Sequence, residues 1–261
     1  MKTITRMQGT LTLGILALAL VAVPVSAGTL AGTLSQQQVF NANLTTQGGE
    51  DWAVWGYAGG GTSTSLTPDV QMNGGSGISA LTNITNGNGF RGLGQFGNYG
   101  ESTFDWSNGT PTPAAAGAFT GLQHNGEFGP ISNVGEGFAF TVPAGTAEQL
   151  LTLYSTVNDG NAQLTATLSD GSAVQVVQLL QGTGFNIPYV STFSFSANSN
   201  GQTLTIEEVL TSDISTDNSG NVAIQGAALA AAAPEPGSFG LLGIAAMGLI
   251  AARKKLRLNS K

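Results

Sequence analysis

The sequence predicts an all-β protein, built as an antiparallel β-sandwich or jelly roll. Three observations carry this. Apolar and polar residues alternate with period two through most of the second half. Pairs suited to tight turns separate the alternating runs at short intervals. With 38 glycines among 261 residues, the chain has almost no stretch of capped helical periodicity.

The elements follow in chain order. Residues 34–44 are the one stretch of the body compatible with a helical period, although 37–43 also reads as a strand. Residues 51–57 form a second candidate strand. Residues 58–89 hold eight glycines with many Ser, Thr and Asn, too long for an ordinary connection. They read either as a functional loop or as irregular edge strands. Thr110-Pro111-Thr112-Pro113 marks a stiff turn or an edge, because Pro cannot donate to a ladder. From Gly137 the pattern sharpens. Phe138, Phe140 and Val142 alternate, as do Leu151, Leu153, Ser155 and Val157, then Leu164, Ala166 and Leu168. Val174 and Val176 open the next strand, and Phe193 with Phe195, Leu204 with Ile206 and Val222 with Ile224 continue the series. Asn158-Asp159-Gly160, Ser169-Asp170-Gly171, Ser199-Asn200-Gly201 and Asp217-Asn218-Ser219-Gly220 supply the turns. The body, 28–233, is expected to be a single sandwich domain.

Composition excludes several functions. The chain has no Cys and one His, so disulfides, thiolate metal sites and paired-His centres are not expected. Between Gly28 and Ala233 there are fourteen acidic side chains against Arg91 alone, a net of −13. Such a body repels phosphate backbones, which excludes nucleic acid as a partner.

Both ends read as addresses. Lys2 and Arg6 precede an apolar run over 11–23, Pro24 breaks it, and Val25-Ser26-Ala27 offers the small residues a signal peptidase reads. A signal peptide over 1–27, cleaved after Ala27, is expected. At the other end Pro234-Glu235-Pro236 closes the body, an apolar run fills 239–252, and Arg253, Lys254, Lys255 and Arg257 follow at once. Fourteen residues of helix rise roughly 21 Å against a hydrocarbon core of ~30 Å, a short transmembrane helix suited to transient anchoring in the inner membrane. The basic cluster on one side puts the tail in the cytoplasm and the body outside.

This tripartite layout over 234–261 resembles the PEP-CTERM sorting signal of exported bacterial proteins. The resemblance implies recognition and removal of the tail by an exosortase, with Pro234, Glu235, Pro236, Arg253, Lys254 and Lys255 as the sorting motif. It also implies delivery to the cell surface or extracellular matrix of an exopolysaccharide-producing, biofilm-forming cell. A second, weaker resemblance runs through the body. The segments Asp51-Trp52-Ala53, Trp55-Gly56, Trp106 with Gly109-Thr110-Pro111-Thr112, GFAFTVPAG from Gly137 and LTATLSDGSA from Leu164 resemble a secreted bacterial β-sandwich module. These are turn and core residues, so they imply a fold and no site.

Several motifs fail on their context. Gly87 to Gly92 and Gly92 to Gly97 match a dinucleotide pattern without strand, turn and helix around it. Residues 74–79 lack the Asp of a calcium β-roll repeat, and 213–224 ends in Ile224 where a calcium loop needs Glu. Glycoside hydrolysis needs two carboxylates across a cleft, for which Glu101, Asp105, Glu127 and Glu136 are the only candidates. Glu207 and Glu208 are adjacent on a strand and point to opposite faces. His124 beside Glu127 reads as a polar surface residue. No catalytic residue is therefore expected.

An aromatic set remains. Trp52, Trp55, Tyr57, Tyr99 and Trp106 lie among Asp51, Asp105 and Asn108 in the less regular half. Aromatic faces beside carboxylates and amides suit sugars, whereas a large sandwich also needs buried Trp. Trp52 and Trp55 are three apart and face opposite ways on a strand, so at least one is a core candidate. The expected function is a non-catalytic structural or adhesive protein of the surface or matrix. The alternative is a carbohydrate-binding module using Trp52, Trp55, Tyr57, Tyr99, Asp105 and Trp106. No cofactor is expected beyond Ca2+, which would let the acidic body bridge to acidic exopolysaccharide.

Overall fold

The computed structural model describes residues 27–36, 40–57, 63–87, 93–95, 102–124, 132–184 and 186–233. The expected signal helix and transmembrane helix, with the sorting motif, lie outside the described residues. So do Tyr99, Glu101 and Glu127. Among the described residues no helix is long and apolar enough to cross a membrane.

In chain order the first half gives β1 (Thr29–Gln36), β2 (Asn41–Asn43), α1 (Leu44–Gln47), β3 (Asp51–Val54), β4 (Val70–Met72), β5 (Thr82–Ile84), β6 (Leu93–Gln95), β7 (Thr103–Trp106), β8 (Gly109–Thr110), β9 (Ala115–Ala118) and β10 (Leu122–His124). The second half gives β11 (Gly137–Ala144), β12 (Gln149–Asn158), β13 (Gly160–Leu168), β14 (Val176–Gly182), β15 (Ile187–Ser196), β16 (Gln202–Asp213) and β17 (Asn221–Ala231). Two sheets make the sandwich. One runs β1-β15-β12-β17-β3-β4-β8, with β10 and β6 attached through β17; the other runs β14-β13-β16-β11-β5. A three-stranded sheet, β2-β7-β9, stands apart. Pairing is antiparallel apart from β2 with β7.

Alternation places the main core between the two large sheets. Leu151, Leu153, Phe193 and Phe195 come from one side and Phe138, Phe140, Leu164 and Ile206 from the other. Fully burying each such side chain is worth about 1.5–3 kcal/mol, an upper bound since denatured chains already bury some surface. A second core lies on the far face of the larger sheet. There Leu44 of α1, Phe104 and Trp106 of β7 and Ala118 of β9 pack on Trp52, Val54, Tyr154 and Ala228. The middle of that sheet is thus covered on both faces, and its strands lose the half-buried pattern. β3 is buried at all four positions, and β17 from Asn221 to Leu229. On β17 the positions that meet the second layer are small, Gly226 beside Phe104 and Ala228.

The turns stand where the sequence puts them. Asp159 (φ 41°), Gly171 (φ 63°), Gly201 (φ 80°) and Asn218 (φ 60°) occupy the left-handed region. Asp170 fixes its hairpin by accepting from the Ser172 N–H at 3.0 Å and the Asn198 N–H at 2.9 Å.

Two expectations are corrected. Of the stretch 34–44 read as helix-compatible, the described residues 34–36 belong to β1 and 41–43 to β2, and α1 is a single turn capped by Asn43, whose Oδ1 accepts from the Thr46 N–H at 3.0 Å. The strand at 51–57 ends at Val54, and Gly56 (φ 72°) turns the chain against Gly121 so closely that a Cβ there would meet the Gly121 oxygen at 1.9 Å. Within 58–89 the described residues include two short strands, β4, which lies between β3 and β8, and β5, which pairs with β11 at the edge of the smaller sheet.

Candidate functional site

Asp51 shows why the Gly-rich segment is docked. Its carboxylate is 1% exposed at the start of β3. Oδ1 accepts from the Trp52 N–H at 2.8 Å. Oδ2 accepts from Gln71 Nε2 at 2.7 Å, the Gly77 N–H at 2.7 Å and the Ile78 N–H at 2.9 Å. A Cβ at Gly75 would stand 2.0 Å from Oδ1, so only glycine lets the backbone pass there. The carboxylate gathers backbone donors and offers nothing to a ligand.

The three tryptophans of the proposed aromatic platform are not at the surface. Trp52 and Trp55 are completely buried and Trp106 is 3% exposed. Trp52 and Trp55 do face opposite ways, and each enters a different core. Trp52 packs on Trp106 with ring centroids 5.6 Å apart and donates to Asn108 Oδ1 at 3.0 Å. Trp55 donates to the Leu66 carbonyl at 3.1 Å, and Trp106 to the Thr112 carbonyl at 3.0 Å. Tyr57 is half-buried, edge-on to Trp106 at 5.2 Å. Asp105 ties the small sheet together, accepting from Asn41 Nδ2 at 2.8 Å and the Gly117 N–H at 2.7 Å. The physical reason is the second core: β7 and α1 cover the face of β3 that the sequence leaves open.

The catalytic candidates fare likewise. His124, expected at the surface, is 1% exposed on β10. Its Nε2 lies 2.5 Å from the Gly137 carbonyl and its Nδ1 3.3 Å from Glu136 Oε2, with Glu136 itself buried. Burial pushes the imidazole down to about 4, opposed in part by the Gly137 carbonyl. Glu207 is exposed and Glu208 fully buried, as their adjacency on β16 requires.

Sequence reasoning misses one concave surface. A groove of about 380 Å³ opens on the outer face of β12 and β15, beside α1. Phe40, Asn41, Gln47, Thr152, Tyr154 and Thr192 line it. The Tyr154 hydroxyl donates to Gln47 Oε1, and burial pushes its pKa up to about 12, so the ring stays neutral. Amides and hydroxyls beside an aromatic edge match the polar and apolar alternation of a sugar. The signal in the sequence is slight: Thr152 and Thr192 are outward positions of alternating strands.

With this fold and these surfaces, the chain is a β-sandwich protein delivered by a terminal signal. Residues 232–255 match the model of the PEP-CTERM protein-sorting motif, so the chain carries the sorting signal of an exported, exosortase-directed protein. Among curated proteins, no relative matches it. The body is similar in structure to a carbohydrate-binding module, Xyl-CBM35, solved in complex with a glucuronic acid containing disaccharide: 12% identity, 63% of this chain, 94% of that chain, TM-score 0.29. It is also similar to a putative sugar binding protein from Bacteroides thetaiotaomicron, at 8% identity over 59% of this chain and 88% of that one, TM-score 0.33. A third likeness is to the enzymatically active domain of bacteriophage CBA120 tailspike protein 4. It has 11% identity and TM-score 0.32, over 60% of this chain but only 20% of the tailspike chain. Overlaps of this size define neither a shared site nor a shared ligand.

Proposed function

We propose that this chain is a non-catalytic structural or adhesive component of the cell surface or extracellular matrix. Signal peptidase removes 1–27, the short apolar helix holds the chain transiently in the inner membrane, and exosortase removes the tail. The delivered unit is the single sandwich domain 28–233. The sorting motif over 232–255 carries the reading. Two features of the body support it. The carboxylates of Asp51 and Asp105 hold backbone, and His124 with Glu136 is buried. Intact-mass analysis of secreted protein tests the proposal. The expected species begins at Gly28 and lacks Arg253 to Lys261, and alanines at Pro234, Glu235 and Pro236 keep the chain in the membrane fraction. A secreted species that retains the basic tail overturns it.

A second reading, glycan retention, is favoured by the groove at Phe40 and Tyr154 rather than by the tryptophans. Calorimetric titration with the host's exopolysaccharide, with and without calcium, then gives saturable heat. Thr192→Trp, which fills the groove from its outer wall, removes that heat without changing the melting temperature. Heat that survives this substitution places binding elsewhere.

A further inference from the structure

We propose that the chain associates with a second copy of itself, edge to edge, through β14. The proposal rests on the sandwich and on charge placement, and stands apart from the reading of export. β14 is the terminal strand of the five-stranded sheet and pairs only with β13 among the described residues. Its sequence, VVQLLQG, is apolar on both faces. Leu180 turns inward, and Gln178 is buried beside it. Val177 and Leu179 turn outward and are 45% and 66% exposed. Val174, in the preceding turn, is 87% exposed. Three of the five large exposed hydrophobic residues among those described thus lie within six positions, on one free edge. A free edge with a flat apolar face is a template for another strand.

The backbone of this edge is available as well. The Tyr189 hydroxyl accepts from the Gln181 N–H at 2.9 Å and donates to the Gln181 carbonyl at 2.8 Å. The polar groups of Gln181 therefore point away from β13. In an antiparallel ladder this orientation recurs at every second residue, so those of Leu179 and Val177 also point outward. Tyr189 closes the ladder at Gln181 and leaves Val177 and Leu179 as open donors and acceptors.

Charge selects the partner. The body carries a net −13, so two copies repel over most of their surfaces. Yet no charged residue occurs between Asp170 and Glu207, a span that contains all of β14 and β15, nor between Gly28 and Gly49, which contains β1 at the neighbouring edge. On the outer face, Gln163 and Thr165 of β13 stand opposite Leu179 and Val177, with Glu207 one strand further. Natural edges are blunted by Lys, Pro or inward charges, and this one has none of them. Two acidic bodies can meet where neither is charged, and a two-fold axis at Gln178 sets Val177 of one copy against Leu179 of the other. Each residue exchanges both backbone bonds with its opposite, and four apolar side chains form one patch. The contact is small beside the ~800 Å² per partner of a stable complex, so association depends on concentration.

Sedimentation equilibrium on the secreted protein tests this. Should none be secreted, full-length chain extracted in non-ionic detergent is used, so that failed export and failed pairing are read separately. A reversible monomer–dimer equilibrium is expected. Leu179→Glu, which sets like charges near the axis, raises the dissociation constant at least ~10-fold. Leu179→Gln raises it less, and both variants keep the parent's circular dichroism and melting temperature. A monomer at every concentration up to the solubility limit, or a dimer that survives Leu179→Glu, overturns the proposal.

Discussion

Asp51→Ala destabilises the protein by about 3–5 kcal/mol, the cost of leaving several buried donors without an acceptor. The loss is concentrated because one carboxylate, 1% exposed, accepts from Trp52, Gln71, Gly77 and Ile78, and so fastens the 71–78 segment to β3. Asp51→Asn separates charge from shape. The amide keeps one oxygen but turns an NH2 toward other donors, and about 2 kcal/mol or more is still lost. Urea unfolding followed by Trp fluorescence reads both variants, since Trp52 and Trp55 are fully buried in the parent. A shift of Asp51→Ala below ~1 kcal/mol would mean that the segment is held by the pairing of β4 with β3 and β8 instead.

Asp51 also marks the boundary of what the sequence discloses. Strands buried on one face are legible, because alternation and turn chemistry are both local: β13 and β16 run between the turns predicted for them. The tail is legible for the same reason, being a linear order of motif, apolar run and charges. Strand order is not, since β12 pairs with β15 and β17, and β17 with β3, across long separations. Nor is the second layer on the larger sheet legible. Without it Trp52 and Trp106 look free to bind a sugar, and with it they become core. His124 misleads similarly: its glycine-rich neighbours suggest a surface loop, whereas β10 docks on β17 and takes the ring inside. A carboxylate that gathers donors from 20 or more residues away, as Asp51 does from the Gln71 side chain and the Gly77 and Ile78 backbone, leaves no pattern in sequence at all.

Glu208→Gln stabilises the protein, and the gain grows with pH. Glu208 points into the main core from β16, between Phe138 of β11 and Leu164 of β13, with no exposed surface. Neither carboxyl oxygen has a hydrogen-bond partner at bonding distance. Burial pushes its pKa up to about 8, and the Ser155 hydroxyl of the facing sheet offsets this only in part. The sign follows from linkage. Below about 4.5, the ordinary value of a glutamate, the group is protonated in both states and contributes nothing to the difference. Between there and about 8 the folded state holds a proton that the unfolded state has released, so stability falls as pH rises, by up to ~1.4 kcal/mol per unit. Above that range the full penalty applies. The amide side chain cannot ionise, so the gap between variant and parent opens through the same window. The depressed imidazole of His124 is common to both proteins and cancels in that difference. At pH 7.5 the variant is expected to be more stable by roughly 2–3 kcal/mol, with a melting temperature about 4–10 °C higher. At pH 4 the two proteins should melt nearly together. Calorimetric melts from pH 4 to 9 decide the matter: a gap that stays constant with pH would show that Glu208 is ionised in the folded protein and held by polar partners or water inside the sandwich.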